Sequence, residues 1–144
     1  MCVFLNIDCR LPTPIPIANN AGIVMNIQQI VDFAQADTPT EYYRPAADKI
    51  LKGDPEQSVR NHYSSPCGQF SSGIWEGAAG LWKVNYTEHE YCEILQGVSV
   101  LTDREGNSKT LRAGDRFVIP AGFQGTWEVL EPTRKVYVIF EPKA

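Results

Sequence analysis

The stretch Tyr86–Val100, YTEHEYCEILQGVSV, decides the fold of this 144-residue chain. Polar side chains alternate in it with aromatic and aliphatic ones, and Gly97 breaks the run as a turn residue. Because residues two apart share a face of a strand, Glu90 and Cys92 point to one side and Tyr91 to the other. The stretch therefore predicts strand structure that carries a carboxylate and a thiol on the same face.

Alternation with a period of two begins near Val59 and continues almost to the end of the chain. Turn residues divide it into short segments, and the glycine-rich segment from Gly77 to Gly80 is a turn between strands. The predicted strands are Val59–Ser64, Gln69–Glu76, Leu81–Thr87, Glu90–Gln96, Val98–Asp103, Ser108–Leu111, Arg116–Ile119, Thr126–Leu130 and Lys135–Phe140. Many short strands at regular spacing are typical of an antiparallel sandwich or barrel.

The part of the chain before this alternation has a different pattern. Residues 1–25 are predicted to form an extended Pro-rich arm, because prolines alternate with other residues from Pro12 to Pro16. Residues 26–57 are predicted to hold a short helix capped by Asn26, followed by a connecting segment. The barrel domain then occupies residues 58–144.

Composition and charge exclude several classes of protein. The hydrophobic fraction of 43% and the charged fraction of 21% are those of an ordinary globular domain. A net charge of −4 provides no basic stripe for nucleic acid or for an anionic membrane. The chain shows no credible signal peptide and no apolar run of the ~18 residues that a membrane helix needs.

The cysteines give no sign of a disulfide framework or of a zinc site. None of the four, Cys2, Cys9, Cys67 and Cys92, belongs to a CxxC pair. Without a secretory signal, free thiols are the default in a reducing compartment. We therefore expect a reduced, cytoplasmic protein.

Two motifs resemble those of the cupin superfamily. Glu90, followed by six residues and Gly97, is similar to the end of the first cupin motif. The run Gly114–Gly122, GDRFVIPAG, is similar to the start of the second. The resemblance covers about residues 58–141 and implies an all-β fold, the double-stranded β-helix or cupin jelly-roll barrel. The short N-terminal helical and extended segment would pack outside this barrel.

Three further runs resemble one cupin family more closely, the RmlC-like family named after (S)-ureidoglycine aminohydrolase. They are YTEHEYC at Tyr86–Cys92, GFQGTWEV at Gly122–Val129 and RKVY at Arg134–Tyr137. This resemblance implies a relative of aminohydrolases, although a fold by itself does not determine a function.

The metal ligands that the resemblance implies are mostly absent. The family's His-x-His pair precedes the glutamate, and here those places hold Val84 and Tyr86, or Lys83 and Asn85. A further family histidine follows the Pro-x-Gly turn, where this chain has Gly125. Only the glutamate remains, and a stable transition-metal site normally needs three or four donors.

We therefore expect no cofactor. The alternative is a divalent Mn, Fe, Ni or Zn ion held by a substituted site. Its ligands would be Glu90, His62 and Cys92.

The resemblance implies that Glu90 points into the barrel, and strand geometry then places Cys92 beside it. Tyr86, Trp127 and Tyr137 are expected to join them in a small aromatic pocket that binds the ligand. A carboxylate desolvated in such a pocket tends to have a raised pKa, which suits a catalytic acid or base. Cys92 shows no basic partner on its own face and is expected to behave as a small hydrophobe.

The other histidines and tryptophans are expected to be structural. His89 is one residue from Glu90 and should face the surface or an interface. His62, alone on the first barrel strand, is expected to have a structural role. Trp75 and Trp82 are expected in the core or at an interface.

Three functions are compatible with these residues. The first is binding of a small polar molecule, such as an amine, ureido or sugar-like compound, by Glu90 in a barrel without the His-based metal site. The second is an aminohydrolase- or isomerase-like enzyme with Glu90 as acid/base or metal ligand. The third is a non-catalytic interaction module. A homodimer is expected, because cupins commonly dimerise through sheet faces or exchanged strands.

Overall fold

The computed structural model describes residues 24–143, so most of the predicted N-terminal arm lies outside the described residues. Two short 3-10 turns, Ile27–Gln29 and Ala47–Lys49, are its only helical elements within that range. No helix of the described residues is long and apolar enough to cross a membrane. The strands are β1 (Glu41–Tyr43), β2 (Ile50–Gly53), β3 (Gln57–Ser64), β4 (Phe70–Gly77), β5 (Gly80–Asn85), β6 (His89–Asp103), β7 (Ser108–Arg112), β8 (Arg116–Ile119) and β9 (Gln124–Phe140).

The sheet curls into a two-layered barrel because β6 and β9 each run through both layers. One layer has the order β1, β3, β4, second half of β9, first half of β6, β8. The other has the order β2, β5, first half of β9, second half of β6, β7. Every pairing is antiparallel, and the all-β jelly-roll prediction is confirmed.

The two long strands bend where the sequence predicts turns. Register shifts between β6 and β9 fall between Ile94 and Ser99. Gly97 lies in this region with φ +88°, and a Cβ on it would collide with the carbonyl group of Pro132. Predicting two strands on either side of Gly97 is therefore wrong, because the glycine bends one continuous strand. The same holds for the strands predicted on either side of Pro132.

The connecting segment contains more strand and less helix than the sequence predicts. β1 pairs with β3 and β2 pairs with β5, so both are stabilised by partners distant in sequence. Asn26 caps the first 3-10 turn as predicted, because its Oδ1 accepts a hydrogen bond from the Gln28 N–H at 2.9 Å. Helical structure nevertheless ends after one 3-10 turn. Ile30 is 67% exposed, so the apolar face that would stabilise further turns stays unburied.

The core lies between the two layers and is dominated by aromatic residues. The Trp75 ring lies 6.3 Å from that of Trp82 and 5.7 Å from that of Trp127, measured between centroids. The Trp75 indole N–H donates to Tyr43 Oη and Gln57 Oε1, which fixes the ring. Trp75 and Trp82 are thus core residues, as predicted.

Candidate functional site

Strands β6 and β9 carry four of the five candidate residues, all except Tyr86, and place them in the core. Glu90 and Cys92 point inward from β6, and both are 0% exposed. Tyr137 lies directly opposite Cys92 on β9, and Trp127 lies on the same strand in the other layer. The inward faces of these strands therefore match the alternation seen in the sequence.

Lys135 is the member of this cluster that the sequence analysis leaves out. Its Nζ donates to Glu90 Oε1 at 2.7 Å and lies 3.5 Å from Cys92 Sγ. The same nitrogen lies 4.5 Å from the ring centroid of Trp127 and 5.1 Å from that of Trp75. The buried ammonium is thus surrounded by a carboxylate, a thiol and two indole rings.

The ion pair between Glu90 and Lys135 reverses the expected direction of the pKa shift of Glu90. Burial is the strongest single influence on the pKa of Glu90 and acts to raise it, but the charge and hydrogen bond of Lys135 lower it below its usual range. The prediction of a raised pKa is wrong because it considers burial without this ammonium. Glu90 is consequently ionised at neutral pH.

Cys92 does have a basic neighbour, contrary to the sequence prediction, and still remains a neutral thiol. Burial raises the pKa of Cys92 to about 12, and the carboxylate of Glu90 also raises it, while Lys135 acts in the opposite direction. The ammonium is engaged by Glu90 and does not activate the sulfur. Cys92 therefore remains a neutral thiol whose sulfur accepts a hydrogen bond from Lys135.

Several buried polar atoms in this core have no hydrogen-bond partner among the described residues. They include Glu90 Oε2, Trp127 Nε1 and Trp82 Nε1. Trp82 and Trp127 lie opposite each other on β5 and β9. An unsatisfied buried group costs about 1–3 kcal/mol, and native interiors satisfy nearly all of them. These three atoms comprise one hydrogen-bond acceptor and two donors.

The two candidate tyrosines are buried at different places in the barrel. The Tyr137 hydroxyl donates to Asn61 Oδ1 at 2.8 Å, which ties β9 to β3. Tyr86 follows β5 and packs edge-on against Phe123, with ring centroids 6.2 Å apart. The structure thus places Tyr137 beside Cys92, and Tyr86 against the turn that precedes β9.

Both histidines have the structural surroundings that their positions predict. His89 is exposed and stacks on Phe140, with centroids 6.3 Å apart. His62 Nδ1 hydrogen-bonds the Thr38 hydroxyl at 2.7 Å, and its ring lies 4.5 Å from that of Phe33. Burial lowers the pKa of His62, so its ring is neutral at pH 7.

The donor set does not fit a divalent metal ion. The Lys135 ammonium takes the place beside Glu90 that such an ion would need, and the thiol of Cys92 is protonated. His62 is held by Thr38 and does not join these residues. Among residues 24–143, no three His, Cys, Asp or Glu side chains are grouped closely enough to hold a metal. In the part of the chain that the structure describes, the cation beside Glu90 is the Lys135 ammonium.

The curled antiparallel barrel, with its site on the inward faces of two long strands, defines a cupin. Residues 64–137, more than half of the chain, match the EutQ-like cupin domain. The chain belongs to this family. None of the curated proteins matches the chain.

Solved structures with the same fold come from several bacteria. The EutQ protein of Clostridium difficile is 16% identical with a TM-score of 0.55, over 62% of this chain and 65% of its own. A DUF861-family protein of unknown function from Pseudomonas syringae is 20% identical with a TM-score of 0.65, over 73% of this chain and 45% of its own. A predicted oxalate decarboxylase from Thermotoga maritima is 16% identical with a TM-score of 0.60, over 78% and 99%. The chain thus spans less than two thirds of the first two proteins, and these likenesses show the fold alone.

Proposed function

We propose that this cupin domain binds a small neutral molecule of the ureido type inside its barrel, without a metal ion. The observation that carries the proposal is the free Oε2 of the buried Glu90 carboxylate, together with the partnerless indole N–H of Trp127. A ligand N–H would satisfy the first and a ligand carbonyl oxygen the second. Both groups are oriented by strands rather than loops, which favours a preformed site.

The charges of the site favour a neutral ligand. Glu90 and Lys135 already compensate each other at 2.7 Å. An added carboxylate or ammonium would bring a further charge into a buried site, at a large desolvation cost. A ureido group offers N–H donors and a carbonyl acceptor in one uncharged planar unit. The resemblance to the cupins named after ureidoglycine aminohydrolase supports the same class of ligand.

Methylurea is the simplest probe of this proposal. Titration calorimetry should show saturable binding to the metal-free wild type, and Glu90→Gln should abolish it. Glu93→Gln is the matched control, since Glu93 lies on the same strand with its side chain on the outer face. Binding that survives in Glu90→Gln, or is lost in Glu93→Gln, contradicts the proposal.

A further variant guards against misfolding of Glu90→Gln. That single change leaves the Lys135 ammonium buried without its counter-ion, which costs about 3–5 kcal/mol. The double variant Glu90→Gln with Lys135→Met removes both charges and keeps the side-chain volumes. If this double variant folds and still binds methylurea like the wild type, Glu90 does not hold the ligand.

An enzyme is the second candidate, because the ionised Glu90 has one oxygen free to accept a proton. The lowered pKa makes this carboxylate a weak general base and unsuited to act as a general acid, which is why binding is ranked first. Release of more than one ammonia per chain from methylurea, lost in the double variant, would establish the enzyme. Binding without ammonia release would leave the binding function alone.

A further inference from the structure

A largely apolar cavity with an open mouth lies at the surface of the barrel. It has a volume of about 370 Å³ and lies between the turn joining β6 to β7 and strand β8. Leu101, Phe117, Ile119 and Phe123 form its apolar walls. Asp103 and Lys109 stand among the polar residues that line it, so it opens towards water.

Two residues that line this cavity are strand partners of residues that carry the unpartnered polar atoms. Ile119 on β8 lies directly opposite Glu90 on β6. Leu101 on β6 lies directly opposite Trp127 on β9. Directly opposite residues of antiparallel strands have Cβ atoms about 5 Å apart. The cavity is therefore adjacent to both the residue that offers the acceptor and one that offers a donor.

We infer that the ligand carries a short alkyl or aryl group on its polar head, and that this group lies in the apolar cavity. The polar head binds Glu90 and Trp127, and the substituent extends past Ile119 and Leu101 towards the mouth. The ligand class is thus an N-substituted urea or amide rather than a uniformly polar molecule such as a sugar. This inference rests on the proposed function, since it describes the remainder of the same ligand.

The test is a homologous series, from methylurea through ethyl- and propylurea to butylurea, titrated calorimetrically into the metal-free wild type. Burial of one methylene contributes about 0.8 kcal/mol, so the affinity should rise about fourfold with each added carbon. The head group is constant across the series, so any trend reports on the substituent alone.

A variant of the cavity wall tests whether the rise of affinity with chain length arises in this cavity. Phe117→Ser makes one wall polar and should flatten the dependence of the affinity on chain length. Phe70→Ser is the matched control, because Phe70 is exposed on the outer face of β4 and lies outside this cavity. Retention of the full trend in Phe117→Ser would overturn the assignment of the substituent to the cavity.

The outcomes separate this inference from the proposed function. If the wild type binds every member with equal affinity, the apolar substituent is excluded and the polar site stands. If no member binds, both ideas fail together. A rising affinity that Phe117→Ser removes and Phe70→Ser preserves is the expected result.

Discussion

Glu90 is a fully buried carboxylate, and its charge is stable there because Lys135 lies 2.7 Å away. Isolated charges are rarely found in protein interiors, where loss of hydration disfavours them strongly. The attraction between Glu90 and Lys135 offsets part of the free energy lost on dehydration. The ring faces of Trp75 and Trp127 also attract the ammonium. The pair therefore behaves as one unit whose state depends on the proton of Glu90.

Acid should destabilise the protein through this carboxylate. The pKa of Glu90 is lower in the folded than in the unfolded chain, where it is near 4.5, so the unfolded chain takes up the proton first. The stabilisation is full above that value and is lost as the pH falls below it, through the folded pKa. Guanidinium denaturation of the wild type at a series of pH values should show this loss.

The charge-free double variant, Glu90→Gln with Lys135→Met, supplies the comparison for that experiment. Its free energy of unfolding should fall less steeply in acid than that of the wild type, because the other carboxylates are common to both. Parallel curves for the two proteins would mean that the ion pair does not contribute to acid stability.

The sequence predicts only those features of the site that follow from side-chain alternation along a single strand. Glu90 and Cys92 are two residues apart on one strand, so their common inward face follows directly. Lys135 and Tyr137 are also two residues apart on one strand. The alternation that turns Tyr137 inward therefore turns Lys135 inward as well. Its contact with Glu90 also depends on the register between β6 and β9, which no local pattern specifies.

Among the structural elements, β6 and β9 determine the shape of the barrel because both bend between the layers. Gly97 allows the bend in β6, since its φ is +88° and its α-carbon lies against the backbone of Pro132. A side chain there meets two obstacles, a strained backbone and a steric collision. Gly106 has a similar φ of +89°, but a Cβ added to it would meet no atom within 4 Å.

Gly97→Ala should therefore destabilise the protein more than Gly106→Ala does. The backbone strain common to both changes costs about 1–2 kcal/mol. The collision with Pro132 should add about 1–3 kcal/mol in Gly97→Ala, because the backbone has to shift. Guanidinium denaturation of the two variants measures the difference directly. Equal losses would show that β6 can bend without this close approach.

The elements that the sequence predicts well are those with a strong local pattern. From β3 onwards the alternation locates the strand segments, although it divides β6 and β9 into two strands each. β8 has the predicted bounds Arg116–Ile119. β1 and β2 are short, and both owe their strand structure to pairing with β3 and β5. Such pairing is a tertiary effect that overrides weak local preference. The expected helix after Asn26 fails for the converse reason, since no core covers its apolar residues.

At the scale of the whole molecule, the outer face of one layer carries an apolar patch. Its members are Phe70, Tyr91, Val118, Val138 and Phe140, on the neighbouring strands β4, β6, β8 and β9. Val118 is 61% exposed and Phe140 is 47% exposed. Exposed patches that extend across several strands commonly mark contacts between proteins, and a second copy of the same chain is the commonest partner.

The expected homodimer should therefore form through this patch. Sedimentation velocity should give the wild type twice the chain mass of 16.1 kDa, and Val118→Lys should return it to the monomer mass. A lysine at this position introduces a charge that the dimer would have to bury, while the monomer leaves it in water. Leu130→Lys is the matched control, because Leu130 is also half exposed but lies near the bend of β9, outside the patch. A monomeric wild type would refute the dimer, and dissociation by Leu130→Lys alone would place the interface elsewhere.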